Sequence, residues 1–151
     1  MRIFVAGATG AIGRSLLPRL VAAGHDVSGL TRKKEKTRQI NAAGAKPVVA
    51  DALDRVAVRT AVEFVEPDVI VHELTDLRGA SNLRRFDRVF AASNRLRTEG
   101  TDNLLAAARQ VGVARFVAQS FCGWPFARIG GAVKTETDPL DPEPPKELQR
   151  T

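Results

Sequence analysis

The fold is decided near the start of the chain, where residues 3–13 read Ile3-Phe4-Val5-Ala6-Gly7-Ala8-Thr9-Gly10-Ala11-Ile12-Gly13. A short apolar run, typical of a buried strand, leads directly into glycines at the spacing G-x-x-G-x-x-G. Such glycines permit a tight reversal, a close approach of backbone to a pyrophosphate, and close packing of helix on sheet. The pattern predicts a dinucleotide-binding turn. The alternative, a purely structural turn, is disfavoured by the strand before it and the helix after it.

Strand-like and helix-like segments alternate beyond this turn, which is typical of a parallel sheet with helices on both faces. The first helix is predicted over residues 11–23, with an apolar face made of Ile12, Leu16, Leu20 and Ala23. A long helical stretch is expected after a break near residue 80, and the chain past 121 is expected to be a loop. Strands are predicted at 3–6, 26–31, 47–50, 69–72 and 115–120, and further helices at 33–43 and 55–64, the latter capped by Asp54.

Right-handed crossovers connect these elements into a Rossmann-like, doubly wound parallel α/β sheet with strand order 3-2-1-4-5, truncated after the fifth strand. A ligand crevice is expected at the carboxyl ends of the strands, where the order switches between strands one and four. We expect residues 1–121 to form the dinucleotide-binding domain. Residues 122–151 are expected to form a loop and tail rich in glycine and proline, since 135–151 carry five acidic residues against two basic ones.

Composition limits the possible classes of protein. The chain has 151 residues, of which 44% are hydrophobic, enough for one domain with a closed core. The net charge of +6 is spread over many segments without interleaved aromatic residues, so nucleic-acid binding is not expected. The single cysteine, Cys122, cannot form an internal disulfide, and no apolar run is long enough to span a membrane. We therefore expect a cytoplasmic protein that does not bind membranes, and no metal site is predicted.

Three stretches together resemble the short-chain dehydrogenase/reductase superfamily, in its extended and atypical branches of the NAD-dependent epimerase/dehydratase type. They are the glycine turn at 7–13, the stretch RTEGTDNLLAAA at 97–108, and VARFVAQS at 113–120. The resemblance implies that the turn holds pyrophosphate, that an Asp after strand three contacts adenine, and that the end of strand four lines the ribose and nicotinamide. These roles would fall on Gly7, Ala8, Thr9, Gly10, Ala11, Ile12 and Gly13, on Asp51 and Ala52, and on His72, Glu73, Leu74 and Thr75.

The end of strand two decides between NAD and NADP. An acid there would accept hydrogen bonds from the adenosine ribose hydroxyls, but Thr31 and Arg32 stand at that position and Lys33 and Lys34 follow. A 2′-phosphate would meet cations, whereas a ribose diol would lack its usual acceptor. The sequence therefore favours NADP, with NAD as the alternative. On the competing interpretation, these cations only open a solvated helix.

The resemblance also implies a catalytic serine at the end of strand five, which falls on Ser120. The family pairs it with a Tyr and a Lys four residues later, but this chain contains no tyrosine, and Leu148 stands near the expected position. The chain is then either truncated or a divergent member with a substitute acid/base such as Lys134, His72 or Cys122. Without further sheet strands, strand five is expected to be an exposed edge unless a partner or the tail covers it, and self-association into a homo-oligomer would cover it.

Two functions remain open from the sequence. The first is the NADP-binding domain of an epimerase/dehydratase-like oxidoreductase that acts on a small-molecule substrate by hydride transfer, catalytically incomplete in this chain. The second is a non-catalytic protein that senses NADP and interacts with a partner, which the missing tyrosine favours. Turnover separates them, because only an enzyme would oxidise NADPH above a Ser120→Ala control.

Overall fold

A computed structural model describes residues 1–77, 86–120 and 126–143, with the backbone alone at 86–89. Five strands form one sheet in the order β3-β2-β1-β4-β5, and every neighbouring pair is parallel. The predicted Rossmann-like sheet and its strand order are therefore confirmed. The strands are β1 (Arg2–Ala6), β2 (Asp26–Thr31), β3 (Lys46–Val49), β4 (Val69–His72) and β5 (Arg115–Ala118).

Helices cover both faces of the sheet. Their bounds are α1 (Ala11–Ala22), α2 (Thr37–Ala42), α3 (Arg55–Val65), α4 (Phe86–Arg95) and α5 (Thr101–Val111). A 3₁₀ turn, Lys34–Lys36, precedes α2, so the helix expected over 33–43 is shorter and begins in a tighter form. The expected long helical stretch is present from Phe86 to Val111 and contains a π-helical turn, Leu96–Gly100. The break that was expected before it, near residue 80, lies outside the described residues.

The core lies on both sides of β1, where Phe4, Val5 and Ala6 are fully buried. One cluster packs this strand against α3 and α5 through residues such as Val62 and Leu104, and the other packs it against α1 and α2. Apolar runs without alternation are what a parallel sheet covered by helices requires. This burial explains why the first strand could be recognised from sequence.

The buried face of α1 differs from the expected one. Leu17 is buried, whereas Ile12 is 46% exposed and Ala23 lies beyond the helix end. Leu16 and Leu20, which were also expected to face the core, do pack against it. The difference arises because Gly13 packs on the backbone of the glycine turn and thereby orients the helix. Leu17, four residues after Gly13, therefore points toward the core.

Asp54 caps α3 as expected. Its Oδ1 accepts hydrogen bonds from the backbone N–H groups of Val56 and Ala57, both at 3.0 Å. Asp54→Ala removes this acceptor, so we expect the free energy of unfolding to fall by about 1 kcal/mol. Urea unfolding followed by circular dichroism would measure the change. Asp54→Asn keeps the acceptor and should cost less than half as much; equal losses in the two variants would contradict a hydrogen-bonded cap.

The last strand and the tail complete the described chain. β5 ends at Ala118, two residues earlier than expected, because its partner β4 ends at His72, which pairs with Ala118. Residues 126–143 contain turns and bends and one isolated antiparallel bridge between Phe126 and Leu140. Cys122 and Leu148 lie outside the described residues.

In the part that the structure describes, no helix has the length and apolar character needed to cross a membrane.

Candidate functional site

A groove of about 560 Å³ opens at the carboxyl ends of β1, β2, β3 and β4. This is the position that the switch in strand order predicts for a ligand in an open α/β sheet. The groove brings together twelve of the residues to which the sequence assigned a place in the cofactor site: Gly7, Thr9, Gly10, Ala11, Ile12, Thr31, Arg32, Asp51, Ala52, Glu73, Leu74 and Thr75.

Two glycines of the turn are required by contacts within the protein itself. Gly7 has a φ of +97°, and a Cβ there would lie 2.6 Å from the carbonyl oxygen of Glu73. A Cβ on Gly13 would overlap the carbonyl oxygen of Gly7 and would lie 2.7 Å from backbone atoms of Ala8. Neither position tolerates a side chain, so the turn brings β1, α1 and the loop after β4 into direct backbone contact.

The N-terminus of α1 faces this groove without a cap. Gly10 stands at the N-cap, no side chain there accepts a hydrogen bond, and the first turn holds no acidic residue. The first intrahelical bond runs from Arg14 N to Gly10 O at 3.1 Å, so the earlier N–H groups of the helix have no helical acceptor. This contrasts with α3, whose N-terminus is capped by Asp54. An uncapped, positive helix end at a groove fits a pyrophosphate.

Among the described residues, four cationic side chains line the groove: Arg14, Arg32, Lys33 and Lys36. Arg32 and Lys33 were already named from the sequence. Lys34, which was named beside them, does not line the groove. Lys36 follows Lys33 by three residues, and in a 3₁₀ turn residues three apart share a face. Arg14 comes directly after the glycine turn, on the first turn of α1. These spacings are the signals from which both residues could have been found.

The end of β3 is held by polar contacts. The Asp51 carboxylate accepts a hydrogen bond from the backbone N–H of Leu53 at 3.0 Å, and the Asn103 side-chain amide donates to the carbonyl oxygen of Ala52 at 3.0 Å. Asn103 lies on α5, within one of the stretches that carried the family resemblance. It ties α5 to the groove wall, a positioning role that the sequence analysis did not assign.

His72 does not line the groove, in contrast to the expectation. It is buried, its Nδ1 accepts a hydrogen bond from the backbone N–H of Leu74 at 3.1 Å, and its Nε2 lies 2.8 Å from Thr101 Oγ1. Because Nδ1 is the acceptor, the proton lies on Nε2 and is donated to Thr101, whose hydroxyl donates in turn to the carbonyl of Arg97. Burial, with the charge of Arg97, lowers the pKa of His72 to about 4. The neutral ring therefore positions the loop 73–75.

Glu73 is a partly buried acid that lines the groove. Its Oε2 is buried and has no hydrogen-bond partner among the described residues, and burial raises the pKa of the carboxyl group. A buried oxygen without a partner is costly, and protonation reduces that cost.

The remaining residues named from the sequence lie elsewhere. Ala8 is buried in the core cluster on the α1 side, and Gly13 is buried against the turn. Ser120 is exposed, two residues past β5, and Gln119 lines the groove in its place. Lys134 donates to the carbonyl of Ile129 in the tail and does not line the groove.

The fold and the groove are those of a dinucleotide-binding α/β domain. The model of the NAD(P)H-binding family matches residues 7–141, and the chain belongs to this family. This match, together with the relatives and the solved structure described next, confirms the resemblance to epimerase- and reductase-like members of the short-chain dehydrogenase/reductase superfamily.

Relatives and solved structures agree with this family. The chain is 47% identical over 142 residues to the 3-diazoavenalumate denitrifying reductase of Streptomyces sp., covering 93% of this chain and 44% of that protein. It is 31% identical over 150 residues to UDP-glucose 4-epimerase of Mycolicibacterium smegmatis, covering 96% and 46%. The structure of Thermus thermophilus UDP-glucose 4-epimerase in complex with NAD matches with a TM-score of 0.73 and 27% identity, covering 99% and 47%. The chain thus spans less than half the length of these relatives.

Proposed function

We propose that this NAD(P)-binding domain prefers NADP(H) and serves the cofactor half of an epimerase/dehydratase-like oxidoreductase. The observation that carries the proposal is the charge of the groove wall, where Arg14, Arg32, Lys33 and Lys36 converge and β2 ends in Thr31 without an acid. A 2′-phosphate is the group by which NADP(H) differs from NAD(H), and guanidinium groups bind phosphate well.

The chain's own residues would divide the dinucleotide between them. The uncapped start of α1 would bind the pyrophosphate, and Arg32 at the end of β2 would bind the 2′-phosphate. The loop 73–75, held by His72, would line the path toward the nicotinamide ribose. When bound, the nicotinamide would supply or accept the hydride.

Calorimetric titration of the 151-residue chain with NADP⁺ and NAD⁺ tests this proposal. We expect Arg32→Ala to weaken NADP⁺ binding about tenfold, the loss of one charge-assisted contact to phosphate, and to change NAD⁺ binding less than twofold. Arg38→Ala is the matched control, since Arg38 is exposed on α2 and does not line the groove. An equal loss for both dinucleotides, or none, would contradict the assignment of Arg32.

We also propose that residues 1–151 do not carry a complete catalytic set. No tyrosine is present, Ser120 is exposed and does not line the groove, and His72 is committed to two hydrogen bonds in the core. These observations equally support the second candidate, a non-catalytic NADP-sensing protein. NADPH oxidation over a panel of carbonyl compounds, beside a Ser120→Ala variant, tests the incomplete set. Turnover above that control would overturn both the incomplete set and the sensor, whereas NADP⁺ binding without turnover is the result expected of both.

A further inference from the structure

One ion pair joins opposite sides of the groove. Arg32 follows β2 and Asp76 lies four residues past β4, while β1 runs between these two strands. Arg32 Nη2 lies 3.8 Å from Asp76 Oδ2, and both residues line the groove. The pair therefore spans the groove from the loop after β2 to the loop after β4. The sequence offered no sign of it, because the pair joins two loops that are far apart in the chain and that follow strands separated by β1 in the sheet.

The two members of the pair differ in exposure. The Asp76 side chain is 18% exposed, whereas the Arg32 side chain is 49% exposed. The carboxylate is thus held by the protein, and the guanidinium keeps half its surface toward solvent and the groove. At this separation and exposure the pair is weak, so an incoming anion can compete for the guanidinium.

A carboxylate at this point affects the two dinucleotides differently. A 2′-phosphate that contacts Arg32 would carry its negative charge close to the Asp76 carboxylate, and like charges repel. It would also have to share or displace the ion pair. The ribose diol of NAD(H) is neutral and meets neither cost.

We propose that Asp76 is a specificity-determining residue of the groove, whose carboxylate competes with the 2′-phosphate of NADP(H) for Arg32 and so reduces the preference for NADP(H). This inference rests on the proposed function. It gives the loop after β4 a role in the choice between NAD(H) and NADP(H), in addition to the end of β2, which the sequence indicated. Replacing the Asp76 carboxylate by an uncharged group should therefore strengthen the binding of NADP(H) and leave the binding of NAD(H) unchanged.

Calorimetric titration of Asp76→Asn with NADP⁺, NAD⁺ and 2′-phospho-ADP-ribose tests the proposal. We expect about fivefold tighter binding of the two 2′-phosphate ligands and less than a twofold change for NAD⁺. In the Arg32→Ala background the gain should shrink to about twofold, because there is no guanidinium left to release. Asp26→Asn is the matched control, since it makes the same charge change at the opposite end of β2. Asp76→Ser, with thermal melting, provides a second uncharged variant.

The possible outcomes separate this inference from the proposed function. If the wild-type chain binds NADP⁺ and both Asp76 variants bind it unchanged, the inference fails and the proposed function stands. Weaker NAD⁺ binding by Asp76→Asn, with NADP⁺ unaffected, would show that Asp76 is a direct acceptor for the ribose hydroxyls, and would also overturn the inference. If the wild-type chain binds neither dinucleotide, the proposed function and the inference fall together.

Discussion

Gly13→Ala is expected to destabilise the chain by about 3 kcal/mol, the upper end of the usual cost of overpacking. The new Cβ would overlap the carbonyl oxygen of Gly7 and would lie 2.7 Å from the carbonyl of Ala8. These neighbours are backbone atoms and cannot rotate away, so α1 must separate from the turn or the turn must change shape. Dinucleotide binding should be lost as well, because the start of α1 moves. Urea unfolding by circular dichroism and calorimetric titration would measure the two effects.

Two other glycines provide matched controls for this substitution. Gly131 has a backbone conformation open to any residue, and a methyl group added there would meet no atom closer than 4.0 Å, so Gly131→Ala should be nearly neutral. Gly24 has a φ of +80° in open space, so Gly24→Ala isolates the cost of a left-handed conformation, about 1 kcal/mol. A loss in Gly13→Ala no greater than that in Gly24→Ala would contradict the steric argument.

Acidification is expected to remove about 3 kcal/mol of stability through His72, because its pKa is about 4 when folded against an ordinary 6.5 and one pKa unit is about 1.4 kcal/mol. Between these values the unfolded chain binds the proton and the folded chain does not. The contribution is therefore complete above pH 6.5 and is lost progressively as the pH falls to about 4. Urea midpoints measured at intervals between pH 7 and pH 4 would show the loss.

His72→Gln should abolish this loss over the same interval, and His25→Gln, which leaves the buried ring in place, should retain it. Glu73 acts in the opposite sense, since its raised pKa contributes stability that is present in acid and lost as the pH rises. Glu73→Gln would therefore steepen the dependence. The lowered pKa values of Asp68 and Asp138 affect stability only below about pH 5, so they overlap the acid end of the His72 interval alone. A midpoint that does not change between pH 6.5 and 4 in the Glu73→Gln variant would contradict the assignment to His72.

Much of the fold follows from the sequence because its central strands are apolar runs bounded by turn residues. β2 and β4 begin and end at the expected residues, and β1 is longer by Arg2 alone. Strand β5 was expected to continue to Ser120, but its pairing with β4 ends where His72 lies opposite Ala118, and the sequence does not state this register. The face of α1 was misjudged for a similar reason, since the contact of Gly13 with the turn, and not the apolar spacing alone, orients the helix.

The candidate site could be predicted where one continuous segment forms it. The glycine turn and the end of β2 are such segments, and both line the groove. His72 was placed at the groove because it ends a strand, but the alternation of side chains points it, like Ile70, toward the helices on the α5 side, where Thr101 Oγ1 accepts its hydrogen bond. The approach of Asp76 to Arg32 depends on strand order and loop shape together, and no local pattern encodes it.

The uncapped start of α1 makes the stability of this domain a function of its ligand supply. A helix that carries no capping side chain leaves the satisfaction of its first N–H donors to water or to a bound anion. A ligand that binds only the folded chain adds to its stability by mass action, about 2.7 kcal/mol at a concentration one hundred times its dissociation constant. That gain is comparable to the loss expected from acidification, so a chain that is short of dinucleotide would populate its unfolded form about a hundredfold more often than a saturated one.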